Sequence, residues 1–182
     1  MDGSKVTLPR EPAARGYRVA DGAHHPRGMV SALYRLRDRI PVDFDLSAHG
    51  NGREVALTHL DRAAEGDVIV YDRGYRSFAM AIAHHERGLD FVFRIQGNAN
   101  PAFDAFIASG GTELTVTLDA PRDGTAPRGR NLRLRLVKYV AGDTEYCLAT
   151  SLTDGGRSAH GRCPTSITAA GASRRRPEAG RP

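Results

Sequence analysis

Hydrophobic residues recur along this chain in two periods, and the breaks between them set the expected elements. Val6 and Leu8 alternate with Lys5 and Thr7, which is the two-residue period of a strand. Residues 10–27 are rich in Arg, Pro, Gly and Ala, include His24 and His25, hold no period and read as a loop. A second strand is expected from Met29 to Leu36. A third is expected where Val42, Phe44 and Leu46 alternate with Asp43, Asp45 and Ser47, the mark of a half-buried strand, so the first strand is followed by two antiparallel hairpin strands. His49-Gly50-Asn51-Gly52 then breaks the chain. Asn51 with Glu54 makes a capping box for a helix over 52–64, with Ala56, Leu60 and Ala63 on its buried side.

The pattern tightens in the middle. Val68, Ile69 and Val70 form a β-branched run bounded by charge and glycine, as in a strand buried on both faces, and the run ends at Asp72-Arg73-Gly74-Tyr75. Ser77 is a good N-cap for a helix to about Arg87 with Phe78, Ala81 and Ile82 inward, and Gly88 is its stop. Phe91 to Ile95 is strongly β-prone. Asn98 to Pro101 ends that strand and opens a short helix with Pro101 in its first turn.

From Gly110 the periods are all of the strand kind: 113–118, 132–139 and 145–152, separated by Gly, Pro, Asp and Arg turns. Leu132, Leu134 and Leu136 alternate with Arg133 and Arg135, with Lys138 nearby, so one face is apolar and the other cationic. Either that face meets phosphates, or the segment is an edge strand defended by charge. After Asp154, Ile167 is the only large aliphatic residue. Residues 155–182 are therefore expected to be disordered, and their Arg, Ala, Gly and Pro bias from about Arg157 reads like out-of-frame translation, which the DNA around codon 157 tests. The expected organisation is a core over 1–109, a β-strand insertion over 110–154, and the tail.

Composition narrows the partners. A net charge of +5 with a pI near 9.6, carried mainly by arginine, suits an acidic partner, of which nucleic acid is the commonest. Two cysteines, Cys147 and Cys163, supply neither a disulfide framework nor a thiolate metal motif, so a cytoplasmic setting is expected. No apolar run is long enough to cross a bilayer, and no charged-then-apolar leader opens the chain. His24-His25 and His84-His85 lack the spacing that puts two imidazoles on one helix face and read as surface residues. Tyr75 and Phe78 read as packing residues, and Cys147 as a small buried hydrophobe.

Asp72 is the residue on which chemistry is expected. It stands where an apolar strand gives out, at the rim of the core, and a carboxylate there can bind a hard cation or accept a proton. The plainer reading is a turn cap.

The order of strand with Asp2, hairpin strands, helix, strand ending at Asp72, helix and strand resembles the RNase H-like fold, an α/β mixed sheet with helices, here with a β-rich insertion. More narrowly, Asp2-Gly3-Ser4-Lys5-Val6-Thr7-Leu8-Pro9, the strands over Met29–Leu36 and Val42–Leu46, Asp67 through Tyr75, and Phe91-Val92-Phe93-Arg94 look like the catalytic domain of DDE transposases of the insertion-sequence-four group. That resemblance implies cutting and joining of DNA by two-metal phosphoryl transfer. By it, Asp2 matches the first acid and Asp72 the second, both as Mg²⁺ ligands. Lys5, Arg73 and Arg94 become candidate contacts to DNA phosphates, with ion pairing to neighbouring carboxylates as their plainer role. The implied partners are transposon-end DNA and an oligomer with intact transposase, at the bacterial nucleoid.

The resemblance also calls for a third acid, a helix-borne glutamate in a Tyr-Arg-x-Arg-Trp-x-Ile-Glu type of signature. The chain has no Trp, and after Glu145 its only glutamate is Glu178, preceded by Pro177. The expectation is therefore a copy clipped at both ends and inactive in DNA cleavage. The alternatives are a non-catalytic DNA-binding remnant and a metal-dependent phosphatase, for which Asp2-Gly3-Ser4 offers a superficial phosphoaspartate loop.

Overall fold

The computed structural model describes residues 3–48, 51–98, 100–123, 129–153 and 167–169. Their strands are β1 (Gly3–Thr7), β2 (Arg27–Arg35), β3 (Ile40–Ser47), β4 (Val68–Tyr71), β5 (Asp90–Ile95), β6 (Glu113–Asp119), β7 (Asn131–Ala141), β8 (Thr144–Thr150) and β9 (Ile167–Ala169). Between them lie the helices α1 (Gly52–His59), α2 (Phe78–Glu86) and α3 (Pro101–Ala108).

All the strands join one mixed sheet, in the order β1-β2-β9-β4-β5-β8-β7-β6, with β3 paired to β2. Only the β4–β5 and β4–β9 pairings are parallel. The expected α/β core and β-rich insertion are both present, the insertion adding β6, β7 and β8 to the edge of β5.

Local chemistry accounts for the helix boundaries. Ser77 caps α2 by accepting from the Met80 amide at 3.0 Å, and Gly88 ends it at φ +65°, where a side chain would be strained. Asn100 caps α3 by accepting from the Ala102 amide, and Pro101 fills the first-turn position where no amide is needed. At α1 the Asn51 side-chain Oδ1 accepts from the Arg53 amide. Its Nδ2 donates to Glu54 Oε1 at 2.7 Å, so the acid grips the cap's side chain rather than its backbone. The helix expected over 52–64 splits into α1 and a 3-10 turn, Leu60–Arg62.

The core lies on one face of the sheet. Leu33, Ile69, Tyr71, Phe91, Phe93, Ile95, Leu132, Leu134, Leu136, Cys147 and Ala149 point toward the helices, where Ala56, Leu60, Met80, Ala81, Phe103 and Phe106 meet them. Each large apolar side chain withdrawn from water there contributes about 1.5–3 kcal/mol. Tyr75 is buried and Phe78 packs half-buried against this cluster, as expected.

Five expectations are corrected. The alternation in β3 holds but its buried side is reversed: Phe44 is 63% exposed, and Asp43 turns inward to bond His59. Lys138 lies on the apolar side of β7, over the Phe106 ring, because its ammonium donates to the carbonyls of Ile107 and Ser109. β7 is no edge strand, since β6 and β8 flank it. His84 is not a surface residue but fully buried, for the reason given below. In the stretch expected to be disordered, Ile167–Ala169 forms β9. The rest of 155–182, including Cys163 and Glu178, lies outside the described residues, as does Asp2.

Candidate active site at the carboxyl end of strand β4

Asp72 follows the last residue of β4 and opens a 3-10 turn, Arg73–Tyr75. Its side chain makes no cap hydrogen bond and is about half exposed, so the cap reading is not realised. The turn is held from below and beside. The Tyr75 amide donates to the Asp72 carbonyl, and Arg53 Nε of α1 donates to the Gly74 carbonyl at 3.0 Å.

The residue before Asp72 is locked in the core. Tyr71 Oη donates to His84 Nε2 at 2.9 Å, while His84 Nδ1 donates to the Met80 carbonyl at 2.8 Å. The second bond fixes the tautomer that leaves Nε2 free to accept. Burial pushes the His84 pKa down to about 4 and the Tyr71 hydroxyl up, so both stay neutral near pH 7. The i, i+4 spacing from Met80 was the signal: it sets His84 on the buried stripe of α2.

One arginine flanks the carboxylate, and a second, Arg73, adjoins Asp72 in the chain. Arg94, on the neighbouring strand β5, brings Nη1 to 3.7 Å from Asp72 Oδ1. Its guanidinium lies 4.9 Å from the Tyr146 ring centre, and Tyr146 stacks on Tyr139 at 5.1 Å. Arg73 donates to Gln96 Oε1 at 3.2 Å. Lys5 is not part of this group; it sits three rungs along β1, opposite Met29.

Register fixes which row of the sheet Asp72 occupies. Ala169 of β9 stands opposite Tyr34 on one side and Val70 on the other. Counted on by two residues from that rung, β2 comes to Ala32 and the chain leaving β4 to Asp72. At the next rung Gly3 opens β1 opposite Ser31. Since β3 takes the other edge of β2, β1 and β9 share one column, end to end.

As a donor set, Asp72 fits a hard divalent cation as one ligand, for its oxygens are carboxylate and open to solvent. Among the described residues, no group of three or more His, Cys, Asp or Glu is placed to hold a metal. Cys147 is buried, and burial pushes its thiol up, as suits a packing residue.

One polar arrangement escaped the sequence reading. His59 Nδ1 bonds Asp43 Oδ2 at 2.7 Å and its Nε2 lies 3.1 Å from Ser31 Oγ. The bond to His59 holds the Asp43 carboxyl below its usual range. The groups are those of a nucleophilic triad, but Ser31 and His59 are each 1% exposed, so the relay ties α1 to the hairpin rather than meeting a substrate. The period placing His59 on the Ala56 side of α1 was the available clue.

The described residues thus form a mixed α/β sheet with helices on one face, an open aspartate at the end of a central strand and a β-rich module at one edge. The chain belongs to the transposase DDE domain family, whose model matches residues 1–162. A comparison with curated proteins found no match. Among solved structures the chain is similar to the piggyBac transposase in its synaptic complex with hairpin DNA, seen by cryo-electron microscopy. The identity is 12% and the TM-score 0.48, over 85% of this chain and 33% of that one. The present chain therefore spans about a third of the length of that transposase chain. Family membership leaves the phosphatase alternative without support.

Proposed function

We propose that this chain is the catalytic-domain part of a DNA transposase of the insertion-sequence-four kind, acting on DNA at the bacterial nucleoid. Asp2 and Asp72 are its two metal-holding carboxylates. The observation that supports the pairing is register: the rung just before Gly3 is the rung of Ala32 and Asp72, and Asp2 is the residue just before Gly3. When bound, Mg²⁺ supplies neutralisation of charge on the scissile phosphate and makes an attacking hydroxyl more acidic. The chain's own work is positional. Arg94 and Arg73 orient phosphate oxygens beside Asp72, and the Tyr71–His84 bond keeps the end of β4 from shifting.

The helix-borne glutamate of the family resemblance has no counterpart in the sequence, where Glu178 alone follows Glu145. The proposed activity of the residues described is DNA binding at the Asp72 end of β4, with a metal held there for phosphoryl transfer.

The test pairs a gel shift with a nicking assay. Duplex DNA should shift with steep salt dependence. Any Mg²⁺-dependent nicking of supercoiled plasmid should be lost in Asp72→Ala. No shift at low salt overturns the DNA-binding reading. Nicking that persists unchanged in Asp72→Ala overturns the metal site.

A further inference from the structure

Three cations outside the Asp72 site converge on one depression. Lys5 of β1, Arg18 of the β1–β2 connection and Arg27 at the start of β2 line a cavity of about 630 Å³, with Asp21 as its one acidic residue and Gly28 and Met29 in its wall. All three basic side chains are exposed, and none forms an ion pair with another described residue. An excess of positive charge gathered in a concave surface focuses the field there and draws in anions.

The depression is built rather than incidental. The loop that carries Arg18 is fastened to its surroundings: the Arg27 amide donates to the Arg18 carbonyl at 3.0 Å and the Leu8 amide to the Pro26 carbonyl at 2.9 Å. Val19 bridges Pro26, and Tyr17 Oη donates to the Leu46 carbonyl at 2.9 Å. Gly28 packs closely in the wall. A Cβ there would meet Leu46 Cδ1 at 2.9 Å, Leu8 Cδ1 at 3.1 Å and Tyr17 Cε1 at 3.2 Å, so these side chains would have to shift.

Its position gives the ligand. Lys5 pairs with Met29, three rungs beyond the Ala32 row that is level with Asp72. At about 3.3 Å per rung, this is about 10 Å along the strand direction. Phosphates on one DNA strand succeed each other by about 3.4 Å along the helix axis. The basin therefore stands about 10 Å from the Asp72 row, within the span of a single duplex.

We propose that the Lys5–Arg18–Arg27 basin is a second DNA-contact site, which grips backbone phosphates of the duplex flanking the position held at Asp72. It rests on the DNA-binding reading above and extends it from the β4 end to the β1–β2 connection. The contacts are to phosphate, so the grip is independent of base sequence.

The test is the salt dependence of binding to a random-sequence duplex, for the full chain and for Lys5→Ala/Arg18→Ala/Arg27→Ala. Loss of three phosphate contacts should flatten the slope of log K against log salt by about 2.7, at about 0.9 per contact. Arg18→Ala alone, on a loop side chain outside the core, should flatten it by about 0.9 and guards against misfolding of the triple variant. Equal slopes for all three proteins overturn the basin while leaving DNA binding intact. Absence of binding by the unaltered chain overturns the DNA-binding reading itself.

Discussion

Arg94 reaches Asp72 from the neighbouring strand, Nη1 to Oδ1 at 3.7 Å, while the Tyr146 ring supports its guanidinium from the inserted β-module. The insertion thus bears directly on the electrostatics of the candidate site. A cation beside a carboxylate competes with any metal for it. Arg94→Met should tighten Mn²⁺ binding by no more than about fivefold, because an exposed ion pair is worth at most about 1 kcal/mol. Asp72→Ala should remove that binding. Paramagnetic relaxation of water protons titrated with Mn²⁺ measures both, and unchanged affinity in Asp72→Ala would place the metal elsewhere.

Acid should destabilise the fold through His84. Its folded pKa of about 4 lies below the ordinary value of 6.5, so between those values the unfolded chain binds a proton that the native chain refuses. The stabilisation is fully present above about pH 6.5 and is lost as the pH falls toward 4, amounting to about 3 kcal/mol. Urea midpoints at pH 7.5 and 4.5 should differ less in His84→Gln than in the unaltered chain, although the variant is weaker at pH 7.5 for want of its bond to Tyr71.

The Asp43–His59–Ser31 relay should matter to stability and not to chemistry. His59→Ala strands a partly buried carboxylate and a buried hydroxyl, with an expected cost of about 1–3 kcal/mol. An acylating reagent directed at activated serines should leave Ser31 unlabelled, since it is 1% exposed in the middle of β2. Labelling at Ser31 in the folded chain would make the relay a working nucleophile.

What was legible in the sequence was what neighbouring residues decide among themselves. Ser77, Gly88, Asn100 and Pro101 bound their helices through local backbone chemistry, and the Leu132, Leu134, Leu136 stripe met the core as its period required. Alternation in β3 showed two faces without showing which one the helices cover, because that choice is made by α1 and His59 rather than by β3. Adjacent histidines at 84 and 85 looked alike in composition, yet only one falls on the buried stripe of α2. In the candidate site, Asp72 stood out because an apolar run ends there. The approach of Arg94 depends on the parallel register of β4 and β5, which no local pattern encodes.

β9 is the extreme case, since three residues are too few to carry a period and their place comes wholly from their neighbours. It pairs with Tyr34 and Arg35 of β2 on one side and with Val68 to Val70 of β4 on the other, so it joins the hairpin half of the sheet to the half that ends at Asp72. Thr168 stands at the middle of this join, opposite Arg35 and Ile69. Thr168→Pro removes a ladder donor within the sheet, where proline is otherwise excluded, and should cost about 1–3 kcal/mol. The loss should be local before it is global. Amide exchange at Ile69 and Val70 should quicken relative to that at Leu134 and Leu136, deep in the inserted module, whereas Thr168→Val, which keeps the donor, should leave both sets unchanged. Equal protection in the proline variant would mean that β2 and β4 hold their places without the strand between them.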